Sequence, residues 1–229
     1  MKKIFLVLTL ITTMLQAQEL KQVPSISVSG EGKIKVIPDE AIITLGVQNN
    51  GKDATEVKKK NDDTVDAVLK VIKKHGIAKT DYQTERVSLY KNYDYNAKKY
   101  SFQASQTISI YLKDLKKYDA LIMDLVESGI NNINGVDFKS SKIKELEAQA
   151  RREAILDAKK KAEDYVSVLN QKVGKAITIS DNSRTNYPQP MYKTYAMAAD
   201  SEGVGMNRET LAIGEIEIIS NVSVVFEME

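Results

Sequence analysis

An α+β fold, with helices packed on a mixed or antiparallel sheet, follows from three features of this 229-residue chain. Apolar residues alternate with period two in residues 25–36, 41–47, 101–112 and 215–228, the signature of half-buried strands. They recur at helical spacing in residues 54–75, 115–128 and 142–170. The expected order, β-β-α-β-β-α-β-α-β-β, lacks the regular alternation of a doubly wound parallel sheet.

Residues 1–17 read as a secretory signal peptide. Lys2 and Lys3 form its charged start, Ile4 to Leu15 an apolar run broken only by threonines, and Ala17 precedes the expected cut. That run is shorter than the ~20 residues that cross a bilayer, so no stable membrane span is expected after cleavage. Residues 18–229 then fit one large domain or two small ones. The chain has no cysteine, which excludes a lipoprotein acylated after the cut, disulfides and thiolate metal sites. Its net charge of +2 is carried by Lys2 and Lys3; without them 31 basic residues face 31 acidic ones. A nucleic-acid binder shows a strong basic excess, so nucleic acid is not an expected partner. A neutral chain repels its own copies little, which permits self-association.

Residues 25–47 read as two strands flanking Pro38-Asp39-Glu40, the founding pair of a sheet. Ile26, Val28, Ile34 and Val36 share a face across Gly30-Glu31-Gly32. Glycines inside a strand mark a bulge or a close backbone approach, and a bulge is the expectation here. A phosphate loop is excluded, because Ile34 rather than Ser or Thr follows Lys33 and no helix opens there. Ala41, Ile43, Leu45 and Val47 alternate on the second strand. Neighbours on a strand point to opposite faces, so Asp39 and Glu40 are not a catalytic dyad and are expected in solvent, like Asp62-Asp63.

A helix follows over residues 54–75, with Val65, Val68, Leu69 and Ile72 inward and Gly76 as its left-handed stop. His75, the single histidine, sits in the last turn, where it complements the helix C-terminus. One imidazole with no Gly-x-Ser-x-Gly elbow predicts neither a hydrolase nor a zinc site. A hydrolytic role would require His75 in a cleft beside a hydroxyl and a carboxylate.

Residues 81–90 and 101–112 are the next strands, paired as a hairpin with its turn at Tyr93-Asp94-Tyr95-Asn96. On the second strand Phe102, Ala104, Ile108, Ile110 and Leu112 oppose Ser101, Gln103, Ser105, Thr107 and Ser109, with Gln106 out of pattern. Tyr90, Tyr93, Tyr95 and Tyr100 interleave with Lys91, Lys98 and Lys99, a candidate contact site in residues 90–100. Asp114 caps a helix over residues 115–128 that Gly129 ends, and a short strand reaches Val136 and Phe138.

The longest helix, residues 142–170, spans roughly 40 Å at 1.5 Å per residue. Ala150, Ala154, Ala158 and Ala162 stand at successive i+4 steps and predict close packing, which Ile143, Leu146, Tyr165 and Leu169 extend. Gly174 precedes a strand over residues 175–180. Residues 181–210 form a long loop without periodicity; Tyr187, Tyr192 and Tyr195, with Met191, Met197 and Met206, make it an interaction arm rather than a copper site. In the closing strand, residues 215–228, Ile216, Ile218, Val222, Val224, Phe226 and Met228 share a face with Ser220 as the exception, and its length predicts a central place in a sheet.

In order, Ile26-Ser27-Val28-Ser29-Gly30-Glu31-Gly32, Pro38-Asp39-Glu40-Ala41, Gly76-Ile77, Asp81-Tyr82-Gln83-Thr84, Gly129 with Ile133-Asn134-Gly135-Val136-Asp137-Phe138, Glu153-Ala154 with Ala158 and Ala162, and Ile213-Gly214 with the closing strand form a series. It resembles the SIMPL-domain family, whose bacterial members include periplasmic immunogenic proteins. The likeness covers residues 25–228. It departs at Ser101-Phe102, where the family tends to have Gly-Tyr. The resemblance implies a periplasmic SIMPL domain over residues 18–229, a homo-oligomer linked to envelope and oxidative stress tolerance, with no catalytic residues, metal or cofactor to carry over. The alternative is a binding module that contacts a glycan or an envelope protein through the hairpin 90–100 and the loop 181–210.

Overall fold

The computed structural model describes residues 23–95, 98–183 and 211–229. Among the described residues, seven strands and three α-helices follow one another in the expected order: β1 (Ser25–Val36), β2 (Glu40–Gly51), α1 (Ala54–Lys74), β3 (Tyr82–Asp94), β4 (Lys99–Leu112), α2 (Tyr118–Glu127), β5 (Asn132–Lys139), α3 (Ile143–Val168), β6 (Val173–Asp181) and β7 (Ile216–Met228). The strands form two antiparallel sheets, ordered β1-β7-β6 and β3-β4-β2-β5, and the fold is α+β. The described residues gather in two compact units, 23–32 with 150–183 and 220–229, and 33–149 with 211–219.

β1 and β2 are not a pair: they belong to different sheets. The break between them is held to the end of β5 instead. Asp39 N–H donates to the Lys139 carbonyl at 3.2 Å. Its carboxylate accepts from Ser141 N–H at 2.8 Å and from Ser141 Oγ at 2.5 Å. The chain therefore enters β2 alongside β5, with Glu40 opposite Lys139 and Ala41 opposite both Phe138 and Leu112.

In the larger unit, α1 starts at Asp53, whose carboxylate accepts from Glu56 N–H at 2.9 Å. Its Val57, Val65, Val68 and Ile72 are buried. The latter three join a core with Ile43, Leu45 and Val47 of β2 and Ile108, Ile110 and Leu112 of β4, closed by Leu121 and Leu125 of α2. Each such side chain contributes about 1.5–3 kcal/mol on burial. Asn61 lies in the buried row of α1 and is satisfied by its amide, which donates to the Val47 carbonyl at 3.3 Å. A 3-10 turn over Leu115–Lys117, not α-helix, follows Asp114, which accepts from Lys116 N–H at 3.1 Å.

In the smaller unit, β7 is the central strand, as its length predicted. Ala154, Ala158 and Ala162 of α3 pack with Val28, Val222, Val224 and Phe226. The expected bulge at Gly30-Glu31-Gly32 is absent: even-numbered residues from Ile26 to Val36 face inward without a change of phase. The glycines are there because α3 lies on them. A Cβ on Gly30 would fall 1.9 Å from the Ala154 carbonyl oxygen, and one on Gly32 2.0 Å from that of Ala150. The alanine row runs on to Val166, 2% exposed, while Tyr165 and Leu169 are 60% and 63% exposed rather than inward. Tyr165 is one residue from Val166 and so about 100° round the helix. Gly174 lies inside β6, not before it. Ser220 keeps the inward phase of β7 because its hydroxyl pairs with Ser183 Oγ at 2.8 Å.

Candidate functional site

The hairpin is longer than its sequence pattern indicates. β3 and β4 stay paired from Tyr82↔Ile110 to Asp94↔Lys99, so Tyr93 and Asp94 are strand residues, not turn. β2 accompanies β4 only as far as Gly51↔Phe102, and the last residues of the hairpin extend past it. Tyr93 and Tyr100 are directly opposite each other, as are Lys91 and Phe102. The pleat brings three of the four expected tyrosines together. Tyr93 meets Tyr95 edge to face at a 5.1 Å ring separation and Tyr100 at 4.9 Å with a 56° tilt. Lys91 Nζ stands 4.0 Å from the Tyr100 ring centre. These rings are 40%, 83% and 56% exposed for Tyr93, Tyr95 and Tyr100. Tyr90, opposite Gln103, has the other parity and faces away from the cluster. Lys98 takes a φ of 51° as the chain turns back. Tyr187, Tyr192, Tyr195 and the three methionines near them lie outside the described residues, as does most of the loop 181–210.

A second cluster forms where α1 ends. His75 is the C-cap, and Gly76 follows with a φ of 75°. The Gly76 and Ile77 N–H groups close the helix on the Lys73 and Ile72 carbonyls. That turn aims His75 Nε2 at Asp124 Oδ2 of α2, 2.9 Å away, and Lys74 Nζ reaches the same oxygen at 3.2 Å. These two partners, His75 first, hold the Asp124 carboxyl below the usual carboxylate range. Nearby, Lys113 pairs with Asp81 at 2.7 Å. Tyr111 donates a short hydrogen bond to Glu40. Burial, then that bond, pushes the Tyr111 phenol up to about 12. Glu40, expected in solvent, is buried at 8% exposure: it lies opposite Lys139 of β5 and its carboxylate accepts from Tyr111.

His75, Tyr111, Asp81 and Lys113 line a cavity of about 100 Å³, small beside the ~300 Å³ at which ligand pockets begin. His75 thus lies in a cleft beside a carboxylate, and the tyrosine hydroxyl in that cleft is already bonded to Glu40. A nucleophile pair needs imidazole and hydroxyl within hydrogen-bond reach of each other. Here each is turned to its own carboxylate, and the arrangement clamps α1 to α2. Among the described residues no group of three or more His, Asp or Glu side chains could hold a metal ion, and no helix is long and apolar enough to cross a membrane. Only the tyrosine interleaving was visible in the sequence; the Tyr111–Glu40 and His75–Asp124 contacts depend on strand register and helix docking.

A family model described as SIMPL, protein of unknown function (DUF541), matches residues 26–226. An uncharacterized protein, YggE, of Escherichia coli (strain K12) is 28% identical over 93% of this chain and 87% of its own. The 26 kDa periplasmic immunogenic protein of Brucella melitensis is 26% identical over 93% of this chain and 88% of its own. A solved structure, AtUAH in complex with (S)-hydroxyglycine, aligns with 58% of this chain and 34% of its own at 13% identity and a TM-score of 0.26, too low to carry an argument.

Proposed function

This chain belongs to the SIMPL family, and from that premise we propose that it is an exported, non-enzymatic periplasmic protein that assembles with copies of itself and supports tolerance of envelope and oxidative stress. Residues 1–17 direct export in this reading, and the periplasmic designation of the Brucella relative supports the compartment. The observation that carries self-assembly is apolar surface left open on the smaller unit. β6 is an edge strand, and Ile177 and Ile179 are 52% and 54% exposed. Ile179 lies opposite Val224, whose side chain packs under α3, yet Ile179 itself is open. Leu156, Val168 and Leu169 of the α3 segment are 65%, 82% and 63% exposed. An edge strand without an outer partner among the described residues, beside open isoleucines, invites another chain. The stress role rests on the family likeness, and the absence of a reaction is supported by the paired state of His75 and Tyr111. Light scattering on the chain from Gln18 at micromolar concentration tests assembly. A mass of several chains is expected, and a strict monomer overturns it.

A second reading, a binding module contacting a glycan or an envelope protein through the hairpin 90–100 and the loop 181–210, is favoured by the exposed Tyr93–Tyr95–Tyr100 cluster. It expects retention on an immobilised envelope extract that Tyr95→Ser abolishes; equal retention of both chains sinks it.

A further inference from the structure

We propose that the tip of the β3–β4 hairpin is a docking surface for an anionic lipid bilayer. The inference concerns other residues than those of the β6 edge and stands whether or not the chain self-assembles.

Position comes first. Ala104, 2% exposed, is the last buried residue of β4 toward the tip. β2 stops pairing at Phe102. Tyr93, Lys99 and Tyr100 therefore project about 7–10 Å past the sheet, at ~3.3 Å per residue. A two-stranded ribbon carries no core of its own, so its side chains are free to meet a surface rather than to stabilise the fold.

The ring geometry then selects the kind of surface. A sugar or a base stacks on a ring face that lies open. Here the rings turn toward one another, at 89° and 56°, and an ammonium group stands over the Tyr100 ring. The cluster is a knot of mutually inclined rings rather than a row of parallel faces. Tyrosines of this kind, apolar in the body and polar at the tip, concentrate at the headgroup level of bilayers.

Charge selects the sign. Residues 90–102 hold Lys91, Lys98 and Lys99 against one acidic residue, Asp94, in a chain otherwise balanced between acid and base. Lysine stems can lie along the rings while their ammonium groups reach phosphate. Each lysine near an anionic leaflet strengthens partitioning roughly fivefold. With no cysteine to acylate and no described membrane-crossing helix, such docking is peripheral and reversible.

The experiment is co-sedimentation of the chain from Gln18 with vesicles of phosphatidylcholine, alone or mixed with phosphatidylglycerol. Binding is expected to the mixed vesicles only and to weaken in ~0.5 M salt, where screening is nearly complete within a few ångströms. The triple variant Lys91→Gln, Lys98→Gln, Lys99→Gln is expected to lose on the order of a hundredfold in partitioning. Tyr95→Ser alone, at the most exposed ring, is expected to lose severalfold with an unchanged thermal midpoint, and it decides the matter if the triple variant does not fold. Absence of binding to mixed vesicles overturns the proposal. So does binding that both variants retain. Retention on an insoluble glycan, lost in the same variants and without vesicle binding, overturns it in favour of a saccharide.

Discussion

At Gly30 a single methyl group is decisive. Its nearest neighbours would be the Ala154 carbonyl oxygen at 1.9 Å and the Ala158 amide nitrogen at 2.7 Å, both backbone. Backbone cannot swing aside as a side chain can, so strand and helix must part. Overpacking in a core costs about 1–3 kcal/mol and more where nothing yields. Gly30→Ala is therefore expected to cost at least ~3 kcal/mol in urea unfolding, or to prevent folding of the smaller unit. Gly76→Ala is the control. Its φ is 75° and no atom lies within 4 Å of an added Cβ, so only the left-handed backbone is penalised, at about 1 kcal/mol. Equal costs for the two substitutions would refute the close approach of α3 to β1. Ala154 and Ala158 owe their side-chain size to the same contact. A larger residue at either would push the helix off a strand whose glycines admit it.

At the scale of elements, periodicity was legible and, beyond the β3–β4 hairpin, partnership was not. The alternation of β7 and the alanine row of α3 are properties of short stretches, and both lie where they were expected. Which strands pair depends on residues a hundred positions away. β1 and β2 flank a three-residue break and looked like neighbours, yet one pairs with β7 and the other with β4 and β5. The Tyr93–Tyr100 pair of the candidate site could be read from hairpin symmetry. The Tyr111–Glu40 bond could not, because it needs the β2–β4 register that sets Ile42 against Tyr111. The Asp39–Ser141 contact joins the break before β2 to the start of α3 and offers a test. Hydrogen bonds from the Ser141 hydroxyl and N–H hold the Asp39 carboxyl below the usual range. A depressed folded value means that the ionised form stabilises the fold. That contribution is whole above the unfolded value, near pH 4, and disappears as pH falls through the folded value. Ser141→Ala is expected to cost about 1–2 kcal/mol at pH 7, for loss of a hydrogen bond to a charged group. The deficit against wild type should shrink toward zero as pH falls below the usual carboxylate range and through the folded value. A deficit independent of pH would mean that Ser141 acts through packing alone.

At the scale of the whole molecule, charge governs whether open apolar surface can meet its like. Without Lys2 and Lys3, 31 basic residues balance 31 acidic ones, so copies approach at neutral pH against little net repulsion. The two cores need no such balance, since one is built from branched aliphatic side chains and the other from alanines beneath glycines. Acid changes the encounter before it changes the fold. As carboxylates protonate toward their usual values near pH 4, the chain becomes strongly cationic, while the depressed carboxyls of Asp39, Asp124, Asp157 and Asp181 stay ionised to lower pH. The proposed assembly through the β6 edge should therefore weaken between about pH 6 and pH 4.5, with secondary structure intact. Salt separates this cause from loss of the interface itself. At ~0.5 M the repulsion between copies is screened to a few ångströms, whereas burial of Ile177 and Ile179 is not diminished. Light scattering is thus expected to show mass falling with acid in dilute buffer and recovering when salt is added at about pH 4.5. A mass that falls and does not recover with salt would place a titrating group inside the interface, and net charge would no longer be the governing term.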